Sequence, residues 1–410
     1  MLPDHGHPTV SPGDGFALLD GVRVLDLTTS IAGPYGAMLL GDYGADVIKI
    51  ERPGQGDDAR QWGPPFLEGE SLWFLAVNRN KRSVTLDFSK PEGRRVLSRL
   101  VAKSDVVLTN QLPRVQAKLG IDYDSFRQDR ADLVVVSLTG FGLSGDRREQ
   151  PCYDLIAEGL SGVMDLTGEA ANDPQKVGTA AADLLAGMDA AMAAIAALFA
   201  RARTGQGRKV DVSLVESMTR FMSPRIVSYL GSGELPRRTG AKDSVIAIYQ
   251  TFHATDAPLT LGLGNDAIWK RFWKAVGRDA VGEDQRYASN AQRRDHRVQL
   301  VADIQDILKT KPRGYWLELF AANGIPAGPI NRIDEVAADP ALIERGLFYR
   351  LERPDAPPAP QVNTGIQLDG VANRPRLAPP ALGAHTDEVL QTIAGLDAAE
   401  VAALRAANLI

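Results

Sequence analysis

The sequence predicts an α/β protein: a parallel sheet with helices on its faces, joined to a second, smaller domain. Three observations carry that expectation. A strand, a helix and another strand succeed one another within residues 22–51; apolar runs with little alternation recur as far as residue 138; and the composition changes near residue 225. Runs without alternation mark strands buried on both faces, which places helices on both sides of the sheet.

Residues 1–20 are rich in Pro, Gly, Asp and His and are expected to form a loose arm. Residues 22–28 read as a strand. Residues 30–44 read as a helix with Pro34 near its first turn and glycines at its end, and 45–51 as a second strand. A short strand at 83–87, a helix at 92–103 and strands at 105–109 and 133–138 continue the pattern. From Asp183 to Arg203 runs a long Ala- and Met-rich helix, stopped at Thr204-Gly205-Gln206-Gly207, and a strand follows at 209–214. Residues from about 225 to 323 hold three of the five tryptophans and more polar helices, and read as the smaller domain. The proline-rich stretch 353–360 reads as an exposed connection, after which the final helices return to the first domain. The expected boundaries are an arm at 1–20, a large domain at 21–224, a small domain at 225–335 and a C-terminal return at 336–410. No internal repeat of solenoid type is visible.

A chain of 410 residues exceeds what one hydrophobic core usually serves, in keeping with two domains. Hydrophobic residues make up 44% and charged residues 24%, ordinary values for a soluble protein. The formal net charge of −5 points away from nucleic acid and anionic membranes as partners. Cys152 is the single cysteine, so neither an intrachain disulfide nor a cysteine-based metal site is available. The opening residues lack the pattern of a secretion signal, and the most apolar stretch is interrupted by Asp183 and Asp189. The expectation is a cytoplasmic enzyme without a metal.

Several chemical signatures are missing. The first strand–helix turn has Gly33 and Gly36 but no dinucleotide fingerprint, and no phosphate loop, nucleophile elbow or metal-spaced histidines occur. Carboxylates are therefore the candidate catalytic groups. Asp183 follows the small run Gly178-Thr179-Ala180-Ala181-Ala182 and opens the long apolar helix. There the helix dipole favours an ionised carboxylate, and small neighbours leave room for a large electrophile. The same position also suits an N-cap with no further role. Tyr153-Asp154 follows the glycine-rich loop after the fifth strand, which reads either as a turn or as a source of backbone amides. Arg52, at the end of the second strand, faces the ligand edge of an open parallel sheet or is merely solvated.

Longer stretches carry a resemblance. Leu19-Asp20-Gly21-Val22-Arg23-Val24-Leu25-Asp26-Leu27, Ala32-Gly33-Pro34 and Gly41-Asp42-Tyr43-Gly44-Ala45-Asp46-Val47-Ile48-Lys49-Ile50-Glu51-Arg52-Pro53 come first. Asn78-Arg79-Asn80-Lys81-Arg82-Ser83, Ser137-Leu138-Thr139-Gly140-Phe141-Gly142, Gly324-Ile325-Pro326-Ala327-Gly328-Pro329 and Leu382-Gly383-Ala384-His385-Thr386 follow in order. Together they resemble the class III CoA-transferases (CaiB/BaiF), over almost the whole chain after the arm. The resemblance implies a Rossmann-like large domain, a smaller α+β domain and an interlocked homodimer. It implies acyl-CoA and a free carboxylic acid as partners, with coenzyme A as co-substrate. Asp183-Leu184-Leu185-Ala186-Gly187-Met188 fits the family's nucleophile, so Asp183 is implied to form an acyl anhydride and then a CoA thioester. CoA contacts are implied at Ile31, Ala32, Arg52, Leu86, Asn110 and Lys118, and a glycine loop over the site at Gly262 and Gly264.

There are departures. Leu108-Thr109-Asn110-Gln111 lacks the aromatic residue usual after the fourth strand, and Pro151-Cys152 precedes the tyrosine. Two other readings stay open. The α-methylacyl-CoA racemases resemble this chain, but their proton-shuttling histidine falls at Tyr153, and a phenol titrates too high for that task. A non-catalytic CoA-binding protein is the other, against which the retained Asp183 speaks. The stretch Gly56-Asp57-Asp58-Ala59-Arg60 is similar to members using succinyl-CoA and a dicarboxylate. Arg60 is then either the cation at the far end of the acid or a support for its own loop, with Tyr153 also toward the substrate.

Overall fold

The computed structural model describes residues 6–354 and 356–410. Met1–His5, in the opening read as arm and leaderless terminus, and Asp355, in the proline-rich stretch, lie outside the described residues. The chain divides into two compact units. The first comprises residues 1–163, 176–224 and 337–410, and the second 164–175 and 225–336.

The first unit is built on a six-stranded sheet: β1 (Arg23–Asp26), β2 (Asp46–Glu51), β3 (Lys81–Thr85), β4 (Val106–Thr109), β5 (Val134–Thr139) and β6 (Arg208–Ser213). Its order is β3-β2-β1-β4-β5-β6 and every pairing is parallel. This is the doubly wound order in which the sequence of strand addition reverses between β1 and β4, opening a crevice at the carboxyl ends of those strands. The apolar runs explain it: Val24, Leu25, Val107, Val134, Val135 and Val136 are fully buried. Helix α1 (Ala32–Asp42) follows β1, and α2 (Pro91–Val101) follows β3. Helices α3 (Asp154–Ser161), α4 (Ala181–Thr204) and α5 (Leu214–Phe221) pack on one another. Gly205, at φ 67°, ends α4 in the left-handed conformation that glycine supplies cheaply. By length and composition α4 would cross a membrane, yet Ala182, Ala186, Ala190 and Ala194 on one face are fully buried within the unit. The last two helices close a core cluster, with Val389 and Leu390 packed alongside Leu25 and Ile48.

Two expectations are corrected here. The described part of the arm is not loose: Thr9–Val10 pairs in parallel with Phe348–Arg353, and Gly13 N donates to the Pro375 carbonyl at 2.9 Å. The proline-rich stretch is not a bare connection. Ala356–Val362 pairs antiparallel with Phe348–Arg353 as the outer strand of that sheet. An edge strand needs hydrogen bonds on one side only, so prolines fit it, and Ala359 is fully buried.

The second unit holds an antiparallel sheet of β7 (Tyr249–His253), β8 (Pro258–Gly262) and β9 (Ala327–Pro329). Its core is aromatic: Trp269, Phe272 and Trp273 of α6 (Asp266–Ala275) pack with Phe320 and Phe252.

Candidate active site

A crevice of about 610 Å³ opens at the carboxyl ends of β1 to β4 in the first unit. Thr28 and Thr29 after β1, Arg52 after β2, Leu86 and Phe88 after β3, and Gln111 after β4 line it. The turn between β1 and α1 runs along its edge and is held by a buried charge network. Lys49 Nζ pairs with Asp57 at 2.7 Å, lies 3.7 Å from Asp26 and donates to the Thr28 carbonyl at 2.8 Å. Lys81 Nζ donates to Asp26, Asn78 and the Pro34 carbonyl at 2.8–2.9 Å. Asp57 accepts from Ser30 N at 2.9 Å, and Ser30 sits at φ 74°, a conformation that few non-glycine residues adopt unaided. Burial pushes the Asp26 carboxyl up, but Lys49 and Lys81 outweigh it and hold it down at about 2. Burial lowers Lys81 to about 8 despite Asp26, with Lys49 adding to the fall.

Helix α1 leads from this crevice to Asp183. It crosses α4 where Gly36 faces Gly187; a Cβ on Gly187 would lie 2.5 Å from the Ala32 carbonyl and one on Gly36 2.8 Å from the Gly187 carbonyl. The two backbones meet at a distance that only glycine permits. Asp183 stands in the first turn of α4, one turn before that crossing. Among the described residues no group donates a hydrogen bond to its carboxylate. The cap of α4 is supplied from α3: Asp154 Oδ1 accepts from Ala182 N at 2.8 Å and Asp183 N at 3.3 Å. Asp183 is therefore not the N-cap, and its carboxyl is not stabilised in its charged form as the helix dipole alone would have it. Burial, and then the charge of Asp154, push it up to about 7. A half-buried carboxylate of raised basicity and without donors has the chemistry of an oxygen nucleophile, although Asp183 itself lies outside the lining of the crevice.

The sequence model of CoA-transferase family III matches residues 19–386. The chain belongs to that family. It is 39% identical over 379 residues to the succinate–glutarate CoA-transferase of Agrobacterium fabrum, covering 91% of this chain and 94% of that protein. It is 34% identical over 397 residues to the mouse succinyl-CoA:glutarate CoA-transferase, covering 97% and 91% respectively. The crystal structure of a CaiB/BaiF family protein from Brucella suis superposes with a TM-score of 0.80 at 37% identity, over 92% of this chain and 99% of that one. The protein is an enzyme of the CoA-transferase class, and its homologues use CoA thioesters as co-substrate.

In this transferase the residues implied as CoA contacts are gathered unequally. Arg52 and Leu86 line the crevice. Arg52 is half exposed, paired with Asp58 and bonded to the Gly56 carbonyl at 3.3 Å. Asn110 turns to the protein instead, donating to the Thr29 carbonyl at 2.8 Å and accepting from Thr29 N at 3.2 Å. Ile31 and Ala32 are buried at the head of α1. Lys118 is exposed on helix Pro113–Leu119 and outside the lining, which that helix reaches through Leu119. Tyr153 is 68% exposed beside Asp154. Gly262 and Gly264 belong to the second unit, Gly262 buried against the Tyr249 ring and Gly264 exposed before α6.

Arg60 departs from its substrate-facing expectation. Nε and Nη2 each bond Glu51 at 2.7 Å, and the guanidinium lies 3.7 Å from the Phe74 ring centre. With its fork filled by Glu51 it supports its own loop, the other of its two readings. Sequence reasoning missed Asp154 as the cap of α4 and missed Glu158 and Lys49 altogether. The available signal for the acids was spacing, because Asp154 and Glu158 are i and i+4 on α3.

Proposed function

We propose that the enzyme moves CoA from succinyl-CoA to a dicarboxylic acid of the glutarate kind, through an anhydride and a thioester on Asp183. The observation that carries the reading is the Asp183 carboxylate: raised in basicity, free of donors, and joined to the CoA crevice by the α1–α4 crossing. A carboxylate oxygen of Asp183 attacks the thioester carbonyl; the C–S bond breaks and CoA leaves as thiolate. The thiolate attacks the Asp183 carbonyl carbon of the anhydride, releasing succinate and leaving CoA as an aspartyl thioester. The acceptor carboxylate attacks that thioester and frees the thiolate, which takes the acyl group from the new anhydride and regenerates Asp183. Each step exchanges one acyl bond for another, the advantage of covalent catalysis over direct exchange.

The substrates rest on the two relatives above, both of which are named for glutarate. A homodimer is the working assembly in this reading, supported by the apolar surface of α3, α4 and α5, where Met192 and Phe199 are each 60% exposed. The test is trapping. Incubation with succinyl-CoA, then borohydride or hydroxylamine, should label the peptide carrying Asp183, and Asp183→Ala should bind acyl-CoA without label. A label on another residue would refute the mechanism.

A further inference from the structure

The acids around α3 carry an inference that rests on the reading of Asp183 as the nucleophile. Glu158 is fully buried one helical turn beyond Asp154. Its Oε2 accepts from Val177 N at 2.8 Å, while its buried Oε1 has no donor. Its carboxyl stands one turn from Asp154 on the same helix; burial raises its affinity for a proton, the Val177 amide opposes that rise and Asp154 adds to it. Two ionised carboxylates repel at that distance, whereas one proton between them makes a charge-assisted hydrogen bond and satisfies the orphaned oxygen. Asp154 is then fixed from two sides, by the amides of Ala182 and Asp183 and by the Glu158 proton.

We infer that Asp154, braced by a proton on Glu158, is a positioning residue: it fixes the first turn of α4, and its charge governs the pH range over which Asp183 attacks. The other groups near Asp183 leave that role to Asp154. The Cys152 thiol is pushed up to about 11 by burial and then by Asp183, so it is neutral at working pH. Arg147 acts on Cys152 and Lys176 on Glu158 from further out. Helix α1 brings Tyr35 against Gly187, its phenol raised by burial and so uncharged. On α5, Arg220 is engaged by Asp189, beyond the crossing.

The experiment is the pH profile of CoA exchange in the full-length enzyme. Exchange should rise as Asp183 ionises, around pH 7. Asp154→Asn keeps an oxygen for the α4 amides but removes the charge, so the rising limb should move to lower pH by about one unit or more. Glu158→Leu should weaken exchange, and Glu158→Gln should restore it, since an amide accepts from Val177 and donates to Asp154 as a protonated acid does. Asp154→Ser, a shorter cap, gives the same readout if Asp154→Asn fails to fold. A limb that stays in place in the folded variant, with the adduct still on Asp183, overturns the inference and leaves the nucleophile standing. A wild-type adduct elsewhere overturns the nucleophile itself.

Discussion

Asp26, Lys49, Lys81 and Asp57 place two cations and two anions in the interior, each at most 1% exposed. Charges so buried persist only when paired and bonded, and these four are tied into the turn that borders the crevice. Their work is to hold Thr28, Ser30 and Pro34 at the head of α1, against the reluctance of Ser30 to take a positive φ. The carboxyl of Asp26 titrates at about 2 in the folded protein, below its ordinary value. Its folded pKa is depressed, so its contribution is complete above about pH 4 and disappears as pH falls toward 2. That contribution is about 2 kcal/mol. Denaturant melts of the wild type and Asp26→Asn should therefore differ most near neutrality and draw together below pH 4. A difference independent of pH would mean that Asp26 is not ionised in the native state.

The crossing of α1 and α4 is the element-scale counterpart, because it joins the helix beside the crevice to that of Asp183, the proposed nucleophile. A methyl on Gly187 would meet the backbone of Ala32 and the Tyr35 ring, neither of which can swing aside. Gly187→Ala should cost about 1–3 kcal/mol of stability. CoA exchange should fall more steeply than that loss implies, since the first turn of α4 moves with the helix; full exchange in a destabilised variant would deny the crossing its positioning role. Much at this scale is readable from sequence alone. Strands β1, β2, β4 and β5 announce themselves by apolar runs, and α4 by its alanines and its glycine stop. The site is less readable because its decisive contacts are tertiary. Asp154 reaches the α4 amides from 28 residues away, and its i,i+4 spacing to Glu158 says nothing of that reach. Lys49 alternates with apolar neighbours in β2 as a solvent-facing residue would, yet its partners on β1 and the Asp57 loop make it core. Arg60 looks free in sequence and is claimed by Glu51 only once β2 and its loop fold together. The proline-rich strand hides for a different reason: edge pairing tolerates residues that sequence rules count against strands.

For the whole molecule, the apolar surface is the feature without a partner. Leu155, Ile156 and Leu160 of α3, Met188, Met192 and Phe199 of α4, and Phe221 of α5 are all about half exposed or more, on helices that pack together. Soluble monomers rarely leave so many large apolar side chains on adjoining helices in water, and a second copy of the same chain can cover them symmetrically. Sedimentation equilibrium should then give twice the chain mass of 44.2 kDa, and Met192→Glu with Phe199→Glu should shift the balance toward single chains. These helices also carry Asp154 and Asp183, so their association and the chemistry share one support. Dilution through the dissociation range should therefore lower exchange per chain. Chains that run singly at 44.2 kDa with full activity would show that the apolar surface serves something other than a second copy.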